Sequence, residues 1–226
     1  MPIKGQGDAT EWLETNRWER GASYIPYPDE MMVRASHVLG TEAGAFVVDP
    51  IDADGIDDLF AEFGEVAGVV ILLDRHKRDS AAVANRHDVP VYIPEWMSGV
   101  EDDIDAPVER MHRQLPGTDY GVHKIIENSF WQEAALYGDE DDTLVVPEAV
   151  GTADYFLAGD ERLGVHPMLR LFPPKKLSRL DPERVLVGHG EGVMEDATEA
   201  IAYALRGSRG RTPGLYAKNL KSLVLG

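Results

Sequence analysis

Three short apolar segments of this chain end directly in loops that carry carboxylates or histidines. Residues 69–73 lead into the charged loop 74–79, and residues 185–187 lead into a Gly-His-Gly turn centred on His189. A third apolar segment ends at Glu148. Such runs are typical of buried strands, and α/β proteins place functional groups where strands end. The sequence therefore predicts a layered α/β protein with candidate functional groups just beyond its strands.

The composition narrows the class of protein. The chain has 226 residues, of which 43% are hydrophobic, and its longest apolar run, residues 68–73, is too short to cross a bilayer. It contains no cysteine, which excludes disulfides, thiolate nucleophiles and Cys-type zinc sites, and its first residues lack the apolar stretch of a secretory signal. We expect one compact domain, residues 1–226, in the cytoplasm.

The net charge of −18 limits the classes of molecule that we expect this protein to bind. A field of that sign repels nucleic acid and anionic membranes, so neither is expected as a partner. Self-repulsion destabilises the compact state unless salt screens it, and the pattern fits a halophilic, salt-adapted cytosol. An ordinary acidic protein from a low-salt cytosol is the alternative, and unfolding at low salt distinguishes the two.

Hydrophobic periodicity predicts alternating strands and helices with hairpins between them. The predicted strands lie near residues 32–39, 45–48, 69–73, 89–94, 122–127, 131–137, 143–146 and 185–187. The predicted helices lie near residues 54–63, 80–87 and 195–205. The first 31 residues are expected to be irregular. This order predicts an α/β fold whose strands are not all parallel.

Four segments resemble, in order, the motifs of the metallo-β-lactamase-fold superfamily. They are residues 47–50, 71–80, 144–149 and 184–191, and the last contains the Gly-His-Gly turn after a strand. The resemblance implies a four-layer αββα sandwich of two similar halves, roughly residues 1–115 and 116–226. It also implies one or two metal ions, usually zinc, at the edge between the sheets.

The metal-binding motifs depart from the family pattern. Where the family has His-x-His-x-Asp-His, this chain has Asp74, His76, Arg78 and Asp79, so only His76 is unchanged. The next family histidine falls at Asn128 or Ser129. Glu148 stands in place of the bridging aspartate and His189 is retained.

Arg78 is the change with the largest consequence. A guanidinium keeps its proton at any working pH, and at about 4 Å with an effective dielectric of 20 like charges cost several kcal/mol. Arg78 therefore opposes a metal at that position. Our hypothesis is that it neutralises Glu148 or Asp79, so that an internal ion pair fills the space of the lost metal.

One metal can still be held by His76, Asp74, Glu148 and His189, with Asp79 as an alternative to Asp74. This nitrogen and oxygen set suits zinc, manganese or iron. Asp49 and Asp79 are the candidate catalytic proton acceptors for metal-activated water, Asp79 if it is not a ligand. The alternative is that no metal binds and that both histidines are satisfied polar residues in a vestigial pocket.

The remaining candidates are substrate-binding residues. Arg75 and Arg78 would bind an anionic small molecule, and His166 lies in a stretch that lines the substrate cleft in the resembling family. The segment around His166 is equally consistent with a rigid surface loop or a local positive patch. Two functions follow: a hydrolase of a small ester, thioester or phosphoester with an atypical or absent metal centre, or a non-catalytic protein that uses the vestigial pocket for ligand binding or interaction.

Overall fold

Two mixed β-sheets dominate the computed structural model, which describes residues 2–7 and 9–225. The first sheet contains β1 (Leu13–Trp18), β2 (Gly21–Ile25), β3 (Ser36–Thr41), β4 (Gly44–Val48), β5 (Val66–Val70), β6 (Val91–Pro94) and β7 (Val108–Met111), in that spatial order. Strands β1 to β4 pair antiparallel, whereas β4 to β7 pair parallel. The predicted mixture of strand directions is confirmed.

The second sheet contains β8 (Tyr120–Asn128), β9 (Trp131–Gly138), β10 (Thr143–Val146) and β13 (Arg184–Val187). Its spatial order is β13-β10-β9-β8, with β13 parallel to β10 and the other pairs antiparallel. Two short strands, β11 (Val150–Gly151) and β12 (Gly164–Val165), form a separate ladder beside it.

Helices cover the outer faces of both sheets. α1 (Ile56–Ala61) and α2 (Ser80–His87) bury residues such as Phe60 and Val83 against the first sheet. α3 (Ala197–Leu225) buries residues such as Ile201 against the second. A third apolar cluster, which includes Leu72 and Leu136, fills the space between the sheets. The predicted α/β class and αββα sandwich are confirmed.

The apolar run at 69–73 joins the two sheets. β5 ends at Val70, and the chain then crosses towards β9, where the backbone N–H of Ala134 donates to Leu72 O (2.8 Å). This crossing leads the loop at 74–79 to the edge between the sheets. The predicted helix at 80–87 follows directly and matches α2.

Two predictions about the chain ends are corrected. The first 31 residues are not all irregular, since β1 and β2 form an edge hairpin within them whose polar positions hide the alternation of a strand. α3 does not end near residue 205, although Gly207, Gly210 and Pro213 favour a stop there. Tertiary contacts override that preference, because Leu215 beyond these residues is fully buried.

The helices of the described residues were also compared with the length and hydropathy of a membrane span. Among residues 2–7 and 9–225, no helix is both long and apolar enough to cross a bilayer.

Candidate metal centre

The candidate site lies where four strands end at the edge between the two sheets. Asp49 follows β4 and Glu148 follows β10, while His189 follows β13. His76 belongs to the loop that the 69–73 segment delivers to this edge. Because β4 and β5 run parallel, as do β10 and β13, the carboxyl ends of each pair meet at one edge.

Three buried side chains converge there. His76, Glu148 and His189 each offer one ligand atom, and these atoms lie within 4.8 Å of one another. All three side chains are less than 10% exposed. Two imidazoles and one carboxylate in this spacing form a set that can hold a single divalent cation.

Hydrogen bonds orient both imidazoles with Nε2 towards the cluster. His76 donates its Nδ1–H to Asp49 Oδ2 (3.0 Å), and His189 donates its Nδ1–H to the carbonyl oxygen of Met32 (2.9 Å). Hydrogen bonds of this kind at Nδ1 fix the tautomer of metal-binding histidines and leave Nε2 as the ligand atom. The Nε2 atom of His189 is buried and has no hydrogen-bond partner among the described residues.

The electrostatic environment keeps both rings neutral. Burial lowers the pKa of His76 and of His189 well below the usual value, and the nearby charge of Arg78 lowers both further. A neutral imidazole is the form that ligates a metal. Burial also raises the pKa of Asp49 to about 6.

Glu148 is held from two sides. Its Oε2 accepts from Arg75 Nε (2.8 Å) and pairs with Arg75 Nη2 (2.5 Å). Its Oε1 lies 3.6 Å from His189 Nε2 and 3.8 Å from His166 Nε2. Burial raises the pKa of Glu148, whereas Arg75 opposes that shift. Oε1 therefore faces the imidazoles while Oε2 is occupied by the guanidinium.

Glu133 supports this arrangement and was missed by the sequence analysis. It is fully buried on β9, where its Oε1 accepts from the backbone N–H groups of Glu148 (2.8 Å) and Ala149 (2.7 Å). Burial raises the pKa of Glu133 to about 7. A glutamate beside the apolar residues 134–136 was the signal in the sequence, because a buried carboxylate needs a specific partner.

The hypothesis about Arg78 is corrected. Among the described residues Arg78 forms no ion pair, because Arg75 takes Glu148 and Asp79 Oδ2 accepts from the backbone N–H of Asp52 (2.9 Å). Nη1 of Arg78 donates instead to the carbonyl oxygens of Ala35 (2.6 Å) and of Asp49 (2.8 Å). The physical reason is that both candidate carboxylates have other partners, so backbone carbonyl oxygens satisfy the buried guanidinium instead.

Arg78 nevertheless reaches the cluster. Its Nη2 lies 3.4 Å from His76 Nε2 and 3.4 Å from the carbonyl oxygen of Gly188. The guanidinium therefore places a positive charge beside the Nε2 atom of His76.

The structure does not bring every predicted site residue into the cluster. Asp74 Oδ2 accepts from the backbone N–H of Gln132 (3.0 Å), so Asp74 stands apart from the three converging side chains. Asp49 Oδ1 accepts from the backbone N–H of Leu72 (3.1 Å) while Oδ2 orients His76. Asp79 is turned towards Asp52. Both predicted proton acceptors, Asp49 and Asp79, are thus engaged in structural hydrogen bonds.

An aromatic wall, formed by Trp131 and Phe156, packs against Arg75, His166 and His189. Arg75 lies over the ring of Trp131 at 3.9 Å, and Trp131 packs edge-on against His166 at 4.9 Å. Phe156 contacts both His166 and His189. His166 Nδ1 accepts from the backbone N–H of Met168 (3.2 Å), so its proton sits on Nε2, which faces Glu148. His166 therefore presents an N–H group to the site, 3.8 Å from Glu148 Oε1.

The residues present fit one metal ion and not two. The buried, unpartnered Nε2 of His189 and the free Oε1 of Glu148 are ligand atoms without another role. The charge of Arg78 beside His76 opposes a second cation, and the charges of Arg75 and Arg78 offset those of Glu148 and Asp49.

Known proteins were compared with this chain by sequence and by structure. No protein-family model and no curated protein matches it. A solved metallo-β-lactamase from Pontibacter korlensis superposes with a TM-score of 0.65 at 14% identity, covering 88% of this chain and 99% of that one. This chain has the metallo-β-lactamase fold. The fold and the resemblance expected from the motifs are confirmed.

Two other solved structures with this fold are not described as β-lactamases. The chemotaxis sensor ODP from T. denticola, in its apo state, superposes with a TM-score of 0.54 at 12% identity and covers 86% of this chain and 94% of its own. A protein in a di-iron-bound form superposes with a TM-score of 0.54 at 18% identity and covers 75% of this chain and 93% of its own. At such identities the likeness establishes the metallo-β-lactamase fold alone, since one fold hosts many functions.

Proposed function

We propose that this protein binds a single divalent metal ion through His76, Glu148 and His189 and hydrolyses a small ester, thioester or phosphoester. The observation that carries the proposal is the convergence of three ligand atoms within 4.8 Å, one of them a buried and unpartnered Nε2. The hydrogen bonds at Nδ1 of the two imidazoles support the proposal, because they leave both Nε2 atoms facing the cluster.

Zinc, manganese or iron suits this donor set, and any of them would polarise the substrate and lower the pKa of water. The chain itself supplies the other groups. Arg78 Nη2 places a fixed positive charge beside His76, where it stabilises negative charge that develops during ester cleavage. The side chain of Arg75 is 38% exposed, and with the Nε2–H of His166 it can bind an anionic part of the substrate.

Hydrolysis of p-nitrophenyl acetate and p-nitrophenyl phosphate tests the proposal. The chelator-treated protein is assayed with zinc, manganese or ferrous iron restored. We expect metal-dependent turnover of at least one ester, and a fall to the metal-free rate in Glu148→Gln, which removes the anionic ligand. Glu127→Gln, an exposed position on β8, is the matched control and keeps the wild-type rate. A metal-dependent rate that survives in Glu148→Gln contradicts the proposed site.

A non-catalytic anion-binding protein is the second candidate. The observation that favours it is Arg78, which is half-buried beside the cluster without an ion pair among the described residues. An anion that binds the native state alone raises its unfolding temperature by mass action. Stabilisation of the chelated protein by inorganic phosphate, with no metal uptake, would favour this function over hydrolysis.

Arg78→Gln separates the two functions. Glutamine removes the charge but keeps an N–H₂ donor for the carbonyl oxygens of Ala35 and Asp49. We expect at least ~10-fold tighter zinc binding, because a like charge near 4 Å costs several kcal/mol. The anion-binding alternative predicts instead that this variant loses stabilisation by phosphate.

Titration calorimetry with zinc and with phosphate measures both effects, and Arg78→Lys, which keeps the charge, is the control. Equal zinc affinity in Arg78→Gln, Arg78→Lys and the wild type would show that the guanidinium charge does not act on the site.

A further inference from the structure

The positive charge of this acidic chain is concentrated in two segments. Residues 166–180 contain four Lys or Arg residues and residues 203–226 contain five, and neither segment contains an Asp or Glu. The rest of the chain holds the other 13 cations and all 40 carboxylates. The two segments therefore carry net positive charge, whereas the rest of the chain carries net negative charge.

The fold places these two segments side by side. The hydroxyl of Tyr216 on α3 donates to the carbonyl oxygen of Pro167 (3.2 Å), and Arg209 Nε donates to that of Leu171 (2.7 Å). Positions 209, 216 and 220 also fall on one stripe of α3, since they are seven and four residues apart. The segments thus form one continuous surface.

Large apolar side chains protrude from this surface. They are Met168 (75% exposed), Leu171 (56%), Phe172 (80%), Tyr216 (51%) and Leu220 (65%). We name this set, with the cations beside it, the apolar basic face. A contiguous exposed group of this kind on a soluble domain marks an interaction surface.

The exposed cations of the face have no carboxylate partner among the described residues. Lys175, Lys176, Arg179 and Arg209 are exposed, and within the part of the chain that the structure describes none of them forms a salt bridge. Two copies of the face would repel each other, so a symmetric dimer through it is disfavoured.

We propose that the apolar basic face docks this protein on an anionic lipid bilayer. Exposures of 75% and 80% at Met168 and Phe172 mean that these side chains rise above their surroundings. A fluid interface accepts such side chains without a matching shape, and Tyr216 has the amphipathic ring that favours the headgroup level. The neighbouring lysines and arginines match the negative headgroups.

The net charge of −18 predicts that an anionic membrane is not a partner. That expectation treats the charge as evenly spread. At an ionic strength of about 0.1 M the Debye length is roughly 10 Å, so a bilayer senses mainly the face that contacts it. Whether the protein binds an anionic bilayer therefore depends on the local charge of the face, which is positive.

Co-sedimentation with vesicles tests this proposal without involving the metal centre. We expect binding to vesicles of equal parts phosphatidylcholine and phosphatidylglycerol, and none to phosphatidylcholine alone. Phe172→Ser lowers the partition coefficient by roughly ten-fold or more, because the buried apolar area of the ring is lost. The double variant Lys175→Glu, Lys176→Glu lowers it by at least about ten-fold through charge reversal.

Leu13→Ser is the matched control, since Leu13 is 49% exposed on β1 of the other sheet. It is expected to bind vesicles like the wild type. The proposal is overturned if anionic vesicles do not bind, or if Phe172→Ser and Leu13→Ser bind alike. Binding of poly-L-glutamate in place of vesicles would also overturn it, because the face would then belong to an acidic polypeptide partner.

Discussion

His189→Ala is expected to abolish metal binding. The variant removes the Nε2 that is buried, neutral and without a partner among the described residues. Loss of an outer-sphere residue alone typically weakens metal affinity 10- to 100-fold, so loss of a ligand should exceed ~100-fold. Elemental analysis after gel filtration measures the metal retained, and zinc titration by calorimetry measures the affinity.

His112→Ala controls for the loss of an imidazole, because His112 is 75% exposed and lies outside the cluster. It should retain metal like the wild type. A circular dichroism melt of each variant shows whether the fold persists. A folded His189→Ala protein that still holds its full metal content would exclude His189 as a ligand.

Glu161→Gln is expected to cause the largest loss of stability. Arg170 and Glu161 are both fully buried side chains, joined by Arg170 Nη2 to Glu161 Oε2 at 2.5 Å. Removing the carboxylate leaves the Arg170 charge uncompensated in the interior, which costs about 3–5 kcal/mol. Urea unfolding measures the free energy of unfolding.

Glu199→Gln, an exposed position on α3, is the control and should change the free energy of unfolding by less than ~0.5 kcal/mol. The pair also bears on the site, because Arg170 donates to the carbonyl oxygens of Val165 and Phe156, next to the aromatic wall. If Glu161→Gln unfolds like Glu199→Gln, the buried ion pair does not stabilise this region.

Local pattern was sufficient to predict much of the fold. The aliphatic run at 69–73 and the Gly-His-Gly turn at His189 indicate buried strands that end in functional loops, because apolar runs of this length cannot remain exposed. The order of these segments then carried the resemblance to the metallo-β-lactamase-fold superfamily. The order of segments also brought His76, Glu148 and His189 to one edge of the sandwich.

Contacts between distant residues could not be predicted in this way. The sequence does not show which arginine pairs with Glu148, because Arg75 and Arg78 lie in the same loop. In the fold Arg75 takes the carboxylate and Arg78 donates to backbone carbonyl oxygens. Glu133 acts through backbone N–H groups 15 and 16 residues away. The length of α3 was likewise hidden, because packing overcame the glycines and the proline within it.

The number of metal ions per chain tests the proposed centre most directly. The protein is purified without a His-tag, incubated with zinc, manganese or ferrous iron, freed of excess ion and measured by elemental analysis. The fit of His76, Glu148 and His189 predicts about one ion per chain, since the charge of Arg78 beside His76 opposes a second. Two ions per chain, or no uptake of any of the three metals, would contradict this account.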